Sequence, residues 1–151
     1  MVKLVPMTEQ DFLAYEEKSI QTYAENKIKA GNWSKETAME LSQESFRNLL
    51  PQQTQTPGQY LFNIMSDQEE VVGHLWFAVK KDTAFLYHIL IFEEFQGRGF
   101  GKQAMAALEE KVKEFQVTKI SLHAFGFNER AISLYKKIGY EITNVNMSKS
   151  L

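Results

Sequence analysis

The 151-residue chain contains no cysteine. That removes disulfides, thiolate-bound zinc and a cysteine nucleophile together, and it fits a reducing compartment. Histidine is scarce as well: His74, His88 and His123 are all the imidazole available for metal or proton chemistry. Neither sign of charge dominates. Lys plus Arg number 17 and Asp plus Glu 19, a formal charge of −2, whereas a dedicated nucleic-acid binder carries a basic stripe. No long apolar run exists. The longest, Ala84 to Phe92, is interrupted by His88 and is far too short to span a bilayer. The first residues, MVKLVPMTEQ, carry one lysine and a brief apolar stretch, which is not the pattern of a signal peptide. These absences predict a soluble, cytoplasmic protein with no nucleic-acid or membrane partner. Apolar residues are plentiful at 44% and aromatics at 13%. Those are globular proportions, and the length is that of one domain, residues 1–151.

The hydrophobic period changes along the chain. Residues 2–6 read as a short strand. Thr8 and Asp11 have capping-box spacing, and Phe12, Tyr15, Ile20 and Tyr23 follow as a helical stripe that should end near Gly31. Ser34 is positioned to cap a second helix carrying Ala38, Leu41, Ser45 and Leu49, stopped by Pro51. Residues 52–59 read as a loop. Residues 60–65, 71–79 and 83–92 are rich in aromatic and β-branched residues with short polar turns between them, which predicts three antiparallel strands. A glycine-rich turn at 96–101 leads into a helix over 102–115, with Ala104, Leu108, Val112 and Phe115 on one face. Residues 118–124 read as a strand. Asn128 opens a last helix with Ala131, Leu134, Tyr135 and Ile138 on its apolar side and Gly139 as its stop, and residues 140–147 read as a final strand. The order β-α-α-β-β-β-α-β-α-β describes one α/β domain around a mixed sheet.

The turn Gln96-Gly97-Arg98-Gly99-Phe100-Gly101-Lys102 is the strongest local signal. Between a strand and a helix, glycines let the backbone approach an anion, and the helix dipole attracts phosphate. Two familiar glycine-rich patterns fail here. A P-loop ending at Gly101-Lys102 needs glycine at position 96 and Ser or Thr at 103, where Gln96 and Gln103 stand. A dinucleotide fingerprint starting at Gly97 needs glycine at position 102, and the next predicted strand ends in Ser121-Leu122-His123 rather than a carboxylate. A glycine-rich connection without a ligand stays open on this evidence alone. The three histidines fall on separate predicted strands, but no His-Glu-x-x-His or Asp/His cluster accompanies them, so no metal site is expected.

Ile89-Leu90-Ile91, followed by Phe92-Glu93-Glu94-Phe95 and by Gln96, Gly99 and Gly101 in the pattern Gln/Arg-x-x-Gly-x-Gly/Ala, resembles the acyl-CoA motif of the GCN5-related N-acetyltransferases (GNAT). Downstream, Asn128-x-x-Ala131-x-x-Leu134-Tyr135-x-x-x-Gly139-Tyr140 resembles the second signature of that family. The element order matches too, so the resemblance covers nearly the whole chain and points to a bacterial-type member with one domain. It implies a mostly antiparallel sheet flanked by about four helices, with a splayed strand pair that holds acyl-CoA. It also implies acetyl-CoA as co-substrate and an amine-bearing acceptor.

Carried over by residue, the resemblance gives the backbone of Ile89, Leu90 and Ile91 to the pantetheine arm by strand addition, and one N–H there to the thioester oxygen. Gln96, Gly97, Arg98, Gly99, Phe100, Gly101 and Lys102 would hold the pyrophosphate. Asn128 would contact the arm, and it equally suits an N-cap. Tyr135 is the candidate general acid for the leaving thiolate, with a core tyrosine as the alternative. An acceptor ammonium of pKa about 10.4 needs a base. At the strand position where some members carry glutamate, this chain has His123, whose ordinary pKa near 6.5 suits that task. His123 can equally be a histidine satisfied by hydrogen bonds. No carboxylate stands on the preceding strand, where Phe85 and Tyr87 occupy the face; Tyr87 and His88 are secondary candidates for substrate contact, and His74 reads as structural. The alternative to an enzyme is a catalytically silent acyl-CoA sensor of the same fold. The family is often dimeric, but the sequence fixes no oligomeric state, and it does not choose the acceptor among polyamine, antibiotic, metabolite and protein amine.

Overall fold

The computed structural model describes residues 1–151. Five strands form one sheet in chain order: β1 (Lys3–Pro6), β2 (Gln59–Met65), β3 (Val71–Lys80), β4 (Thr83–Ile91) and β5 (Lys119–Leu122). The first three pairings are antiparallel and the β4–β5 pairing is parallel. Four helices flank it: α1 (Glu9–Lys29), α2 (Ala38–Leu49), α3 (Phe100–Val112) and α4 (Glu129–Lys137). This is the expected α/β architecture.

Strand alternation divides the core in two. Phe62, Leu75 and Phe77 turn to one face, where they pack with Ala104, Met105, Leu108 and Val112 of α3. Their neighbours Leu61 and Trp76 turn to the other face and meet Phe12 and Tyr15 of α1 and Phe46 of α2. Thr8 begins α1 with a reciprocal cap: its hydroxyl accepts from the Asp11 amide at 3.0 Å while the Asp11 carboxylate accepts from the Thr8 amide at 3.1 Å. A cap of this kind is worth about 1 kcal/mol.

Two local expectations are corrected. Ser34 does not cap α2. It starts a preceding turn, its backbone carbonyl accepting from the Ala38 amide, and Thr37 occupies the N-cap with its hydroxyl bonded to that of Ser34 at 3.0 Å rather than to a helix amide. The final strand does not form: after Gly139 the chain has no regular structure to its end. No segment of the chain pairs with residues 140–147, and alternation alone does not make a strand.

Candidate active-site cleft

Two features of β4 build the site. At Tyr87 the register against β3 slips by one, because Trp76 faces His88 while Phe77 faces Leu86. The extra residue reverses the alternation. Ala84 and Leu86 point toward α3 before it, Ile89 and Ile91 point that way after it, and His88 turns instead toward α1. The second feature is divergence. β5 pairs with β4 only from Thr83 to Leu86, so Tyr87–Ile91 leave that edge unpaired. Gly73 of β3 allows the tight approach on the other side, since a Cβ there would overlap the Leu90 carbonyl oxygen.

Beyond β4 the chain enters the glycine turn. Gly97 (φ 80°) and Gly99 (φ 82°) adopt the left-handed region, which glycine enters without strain. Gly99 is the N-cap of α3 and offers no side-chain bond. The first backbone bond of the helix runs from the Gln103 amide to the Gly99 carbonyl, so the amides from Gly97 to Lys102 have no backbone acceptor. Gln96 fixes the turn: its Nε2 donates to the Ile91 carbonyl at 2.9 Å, and its Oε1 accepts from Arg130 at 3.5 Å.

The opposite wall is α4. Asn128 caps it, its Oδ1 accepting from the Ala131 amide at 3.3 Å. Between α4, the turn and the end of β4 lies a cleft of about 650 Å³. It is lined by Ile89, Ile91, Gln96, Gly97, Gly99, Phe100, Gly101, Lys102, Asn128 and Tyr135 among the residues singled out in the sequence. Arg130, Ser133, Leu134 and Lys137 line it as well. Leu134 belongs to the second signature, whereas Arg130, Ser133 and Lys137 stand at positions that the signature leaves open. The lining has three cations, Lys102, Arg130 and Lys137, and no carboxylate. Unpaired helix-start amides facing such a lining fit a phosphate-bearing ligand.

Tyr135 is half-buried in this cleft, and burial raises its phenol pKa. The hydroxyl is therefore protonated at neutral pH. Three candidates lie elsewhere. The Leu90 side chain is on the other sheet face, in register with His74. Arg98 is exposed and stacks its guanidinium 5.6 Å from the centre of the Phe95 ring. His123 is exposed just past β5, edge-on to Phe125 at 5.2 Å, with its pKa lowered by partial desolvation of the ring and then by Lys27.

A polar pair on the α1 side was not legible in the sequence. The Tyr15 hydroxyl meets His88 Nδ1 at 2.7 Å. Burial pushes the Tyr15 phenol well above its ordinary range and, with His74 as a second cause, holds His88 down to about 4. His74 belongs to a neighbouring chain of bonds: its Nδ1 meets Asn63 at 3.1 Å, and Asn63 donates to Asp11 at 3.0 Å.

The family profile described as "Acetyltransferase (GNAT) family" matches residues 24–140. The Bacillus subtilis (strain 168) protein described as uncharacterized N-acetyltransferase YycN is 36% identical over 99% of both chains. The crystal structure of YycN superposes with a TM-score of 0.96, covering 100% of this chain and 99% of that one. A second protein of that organism, uncharacterized N-acetyltransferase YdgE, is 35% identical over 98% of this chain and 97% of its own. A GNAT family acetyltransferase from Elizabethkingia anophelis, solved with acetyl-CoA bound, shares the fold at a TM-score of 0.56 and 22% identity, over 65% of this chain and 63% of that one. The chain belongs to the acetyltransferase (GNAT) family and is, by that membership, an acyltransferase.

Proposed function

We propose that residues 1–151 act as one acetyl-CoA-dependent N-acetyltransferase domain that passes an acetyl group directly from the thioester to an amine. The observation that carries this reading is the cleft, in which uncapped α3 amides and three cations meet no carboxylate. Gly97–Lys102 would bind the pyrophosphate through backbone N–H groups, with Lys102 adding charge. The unpaired stretch of β4 would take the pantetheine arm as an added strand, and one of its N–H groups would meet the thioester oxygen as charge develops there. Asn128 uses Oδ1 for its cap, which leaves its amide nitrogen free to donate to the arm.

The chain has no cysteine to carry the acetyl group, which favours direct attack. Tyr135, protonated and half-buried, donates its proton to the departing thiolate, whose ordinary pKa is about 8.5. His123 serves as base for the acceptor ammonium, through water. Its lowered pKa supports that role, because the imidazole is neutral at neutral pH.

The test is a screen of amine acceptors that follows free CoA, run on wild type and Tyr135→Phe. The variant should lose about 10²-fold or more in kcat, the usual scale of general acid catalysis, while its acetyl-CoA affinity stays within about twofold, because the phenol assists departure rather than binding. An unchanged kcat would remove Tyr135 from the mechanism. Tight acetyl-CoA binding with no acceptor turned over would make the chain a sensor module.

A further inference from the structure

Tyr87 is the one residue of β4 with no register partner on either side. Against β3 it is skipped, since Leu86 faces Phe77 and His88 faces Trp76, and the last pairing with β5 is at Leu86. The ladder therefore does not fix the backbone where the freed stretch begins, and side chains hold it instead. The Tyr87 ring stacks on Trp76 at 4.7 Å, and the next residue, His88, places Nδ1 2.7 Å from the Tyr15 hydroxyl. Tyr15 is a fixed anchor. It is buried, and the His74 ring meets it edge-on at 5.0 Å. Its helix is tied to the sheet one turn earlier, where Asn63 bonds both Asp11 and His74. Burying a phenol and an imidazole costs hydration that an apolar pair of the same shape does not lose. What the polar pair adds is direction, because a hydrogen bond prefers one distance and angle.

We propose that Tyr15 and His88 are a positioning pair whose hydrogen bond sets the backbone of the bulge, Tyr87–His88, where the freed strand meets the acyl group of acetyl-CoA. The inference rests on the reading of Tyr87–Ile91 as the strand that receives the pantetheine arm. Neither side chain touches the reacting atoms. Tyr15 acts through His88, and His88 through its own backbone, so that an N–H beside the bulge is already in place as charge develops on the thioester oxygen. A misplacement of about 1 Å in such a donor can cost about 10²-fold in rate. The phosphate-binding turn lies beyond the far end of the strand, so ligand affinity does not depend on the pair.

Kinetics and amide spectra of the full chain test this together. Tyr15→Phe removes the hydroxyl and keeps the ring; kcat should fall roughly 10- to 100-fold, while acetyl-CoA affinity stays within about twofold of wild type. His88→Asn places an acceptor oxygen near the position of Nδ1 and should keep most of kcat. Tyr15→Phe/His88→Leu leaves neither partner unpaired, so it should regain the thermal stability lost in Tyr15→Phe and yet stay as slow. A pair that served stability alone would give a double variant with restored turnover. The second readout needs no acceptor. When acetyl-CoA replaces CoA, the backbone amide signals of Tyr87, His88 and Ile89 should move in wild type and in His88→Asn, and not in Tyr15→Phe. Full turnover in Tyr15→Phe or in the double variant would overturn the proposal, as would an acetyl-dependent shift that persists in Tyr15→Phe or is absent from wild type. A wild type that shows the shift, loses it in Tyr15→Phe and acetylates no amine would remove the transferase reading and support the positioning pair.

Discussion

His88 owes its place to the bulge at Tyr87, which turns its ring toward α1 and the Tyr15 hydroxyl. Burial, and then the neighbouring His74, hold its pKa down to about 4, whereas the unfolded chain titrates the same imidazole near 6.5. Between those values the unfolded chain binds a proton that the folded chain refuses. Stability therefore falls as pH drops from 6.5 toward 4 and is fully present above 6.5. The whole interval is worth about 3 kcal/mol, and the step from pH 7 to pH 5 about 2 kcal/mol. His74, lowered chiefly by burial, acts in the same direction. Urea unfolding at the two pH values should show this loss in wild type and a clearly smaller one in His88→Gln, whose side chain carries no titrating proton. Equal losses in the two proteins would mean that His88 is already charged in the folded state. This pair was invisible in the sequence because 73 positions separate its members, and only the bulge aligns them.

The β3–β4 pairing is the element on which the cleft depends, and Gly73 is its tightest point. Its neighbour across the register is Ile91, at the end of the strand that faces the cleft. A methyl group at position 73 would overlap the Leu90 carbonyl oxygen, and backbone cannot yield as a flexible side chain does. Gly73→Ala should cost about 1–3 kcal/mol, the usual price of overpacking, and lower Tm by about 2–12 °C for a chain of this length. Differential scanning calorimetry measures it directly, and an unchanged Tm would show that β3 can shift away. Element bounds were largely legible. Periodicity gave 60–65, 71–79 and 83–92 for strands that run 59–65, 71–80 and 83–91, because each has a partner within the chain and a face to bury. The bulge was not legible, since register belongs to a pair of strands and not to one. The strand expected at 140–147 does not form, since pairing likewise needs two segments and no strand of the sheet pairs with this one. Of the candidate site, the turn and α4 were legible through spacing, while Arg130 and Lys137 emerged only when the two walls faced each other.

Over the whole molecule, a formal charge of −2 conceals local sign. Lys102, Arg130 and Lys137 converge on one cleft without an acidic neighbour in its lining, so the field there is positive although the chain is slightly acidic. Such a cleft favours a multiply charged anion, and the preference weakens with salt. The consequence reaches global stability, because a ligand that binds only the folded chain adds RT ln(1 + [L]/Kd). Acetyl-CoA at about one hundred times its Kd contributes about 2.7 kcal/mol, which raises Tm by about 5–10 °C in a chain of this size. Lys102→Ala/Arg130→Ala removes two of the three cations without touching the core, since both side chains are exposed. If their loss weakens binding about a hundredfold, the same acetyl-CoA concentration stands near Kd and contributes only about 0.4 kcal/mol, so the thermal shift should shrink to about 1–2 °C. Raising the salt concentration should reduce the wild-type shift and leave the variant's nearly constant. A full shift in the double variant would mean that backbone amides alone hold the ligand, and no shift in wild type would remove acetyl-CoA from the cleft.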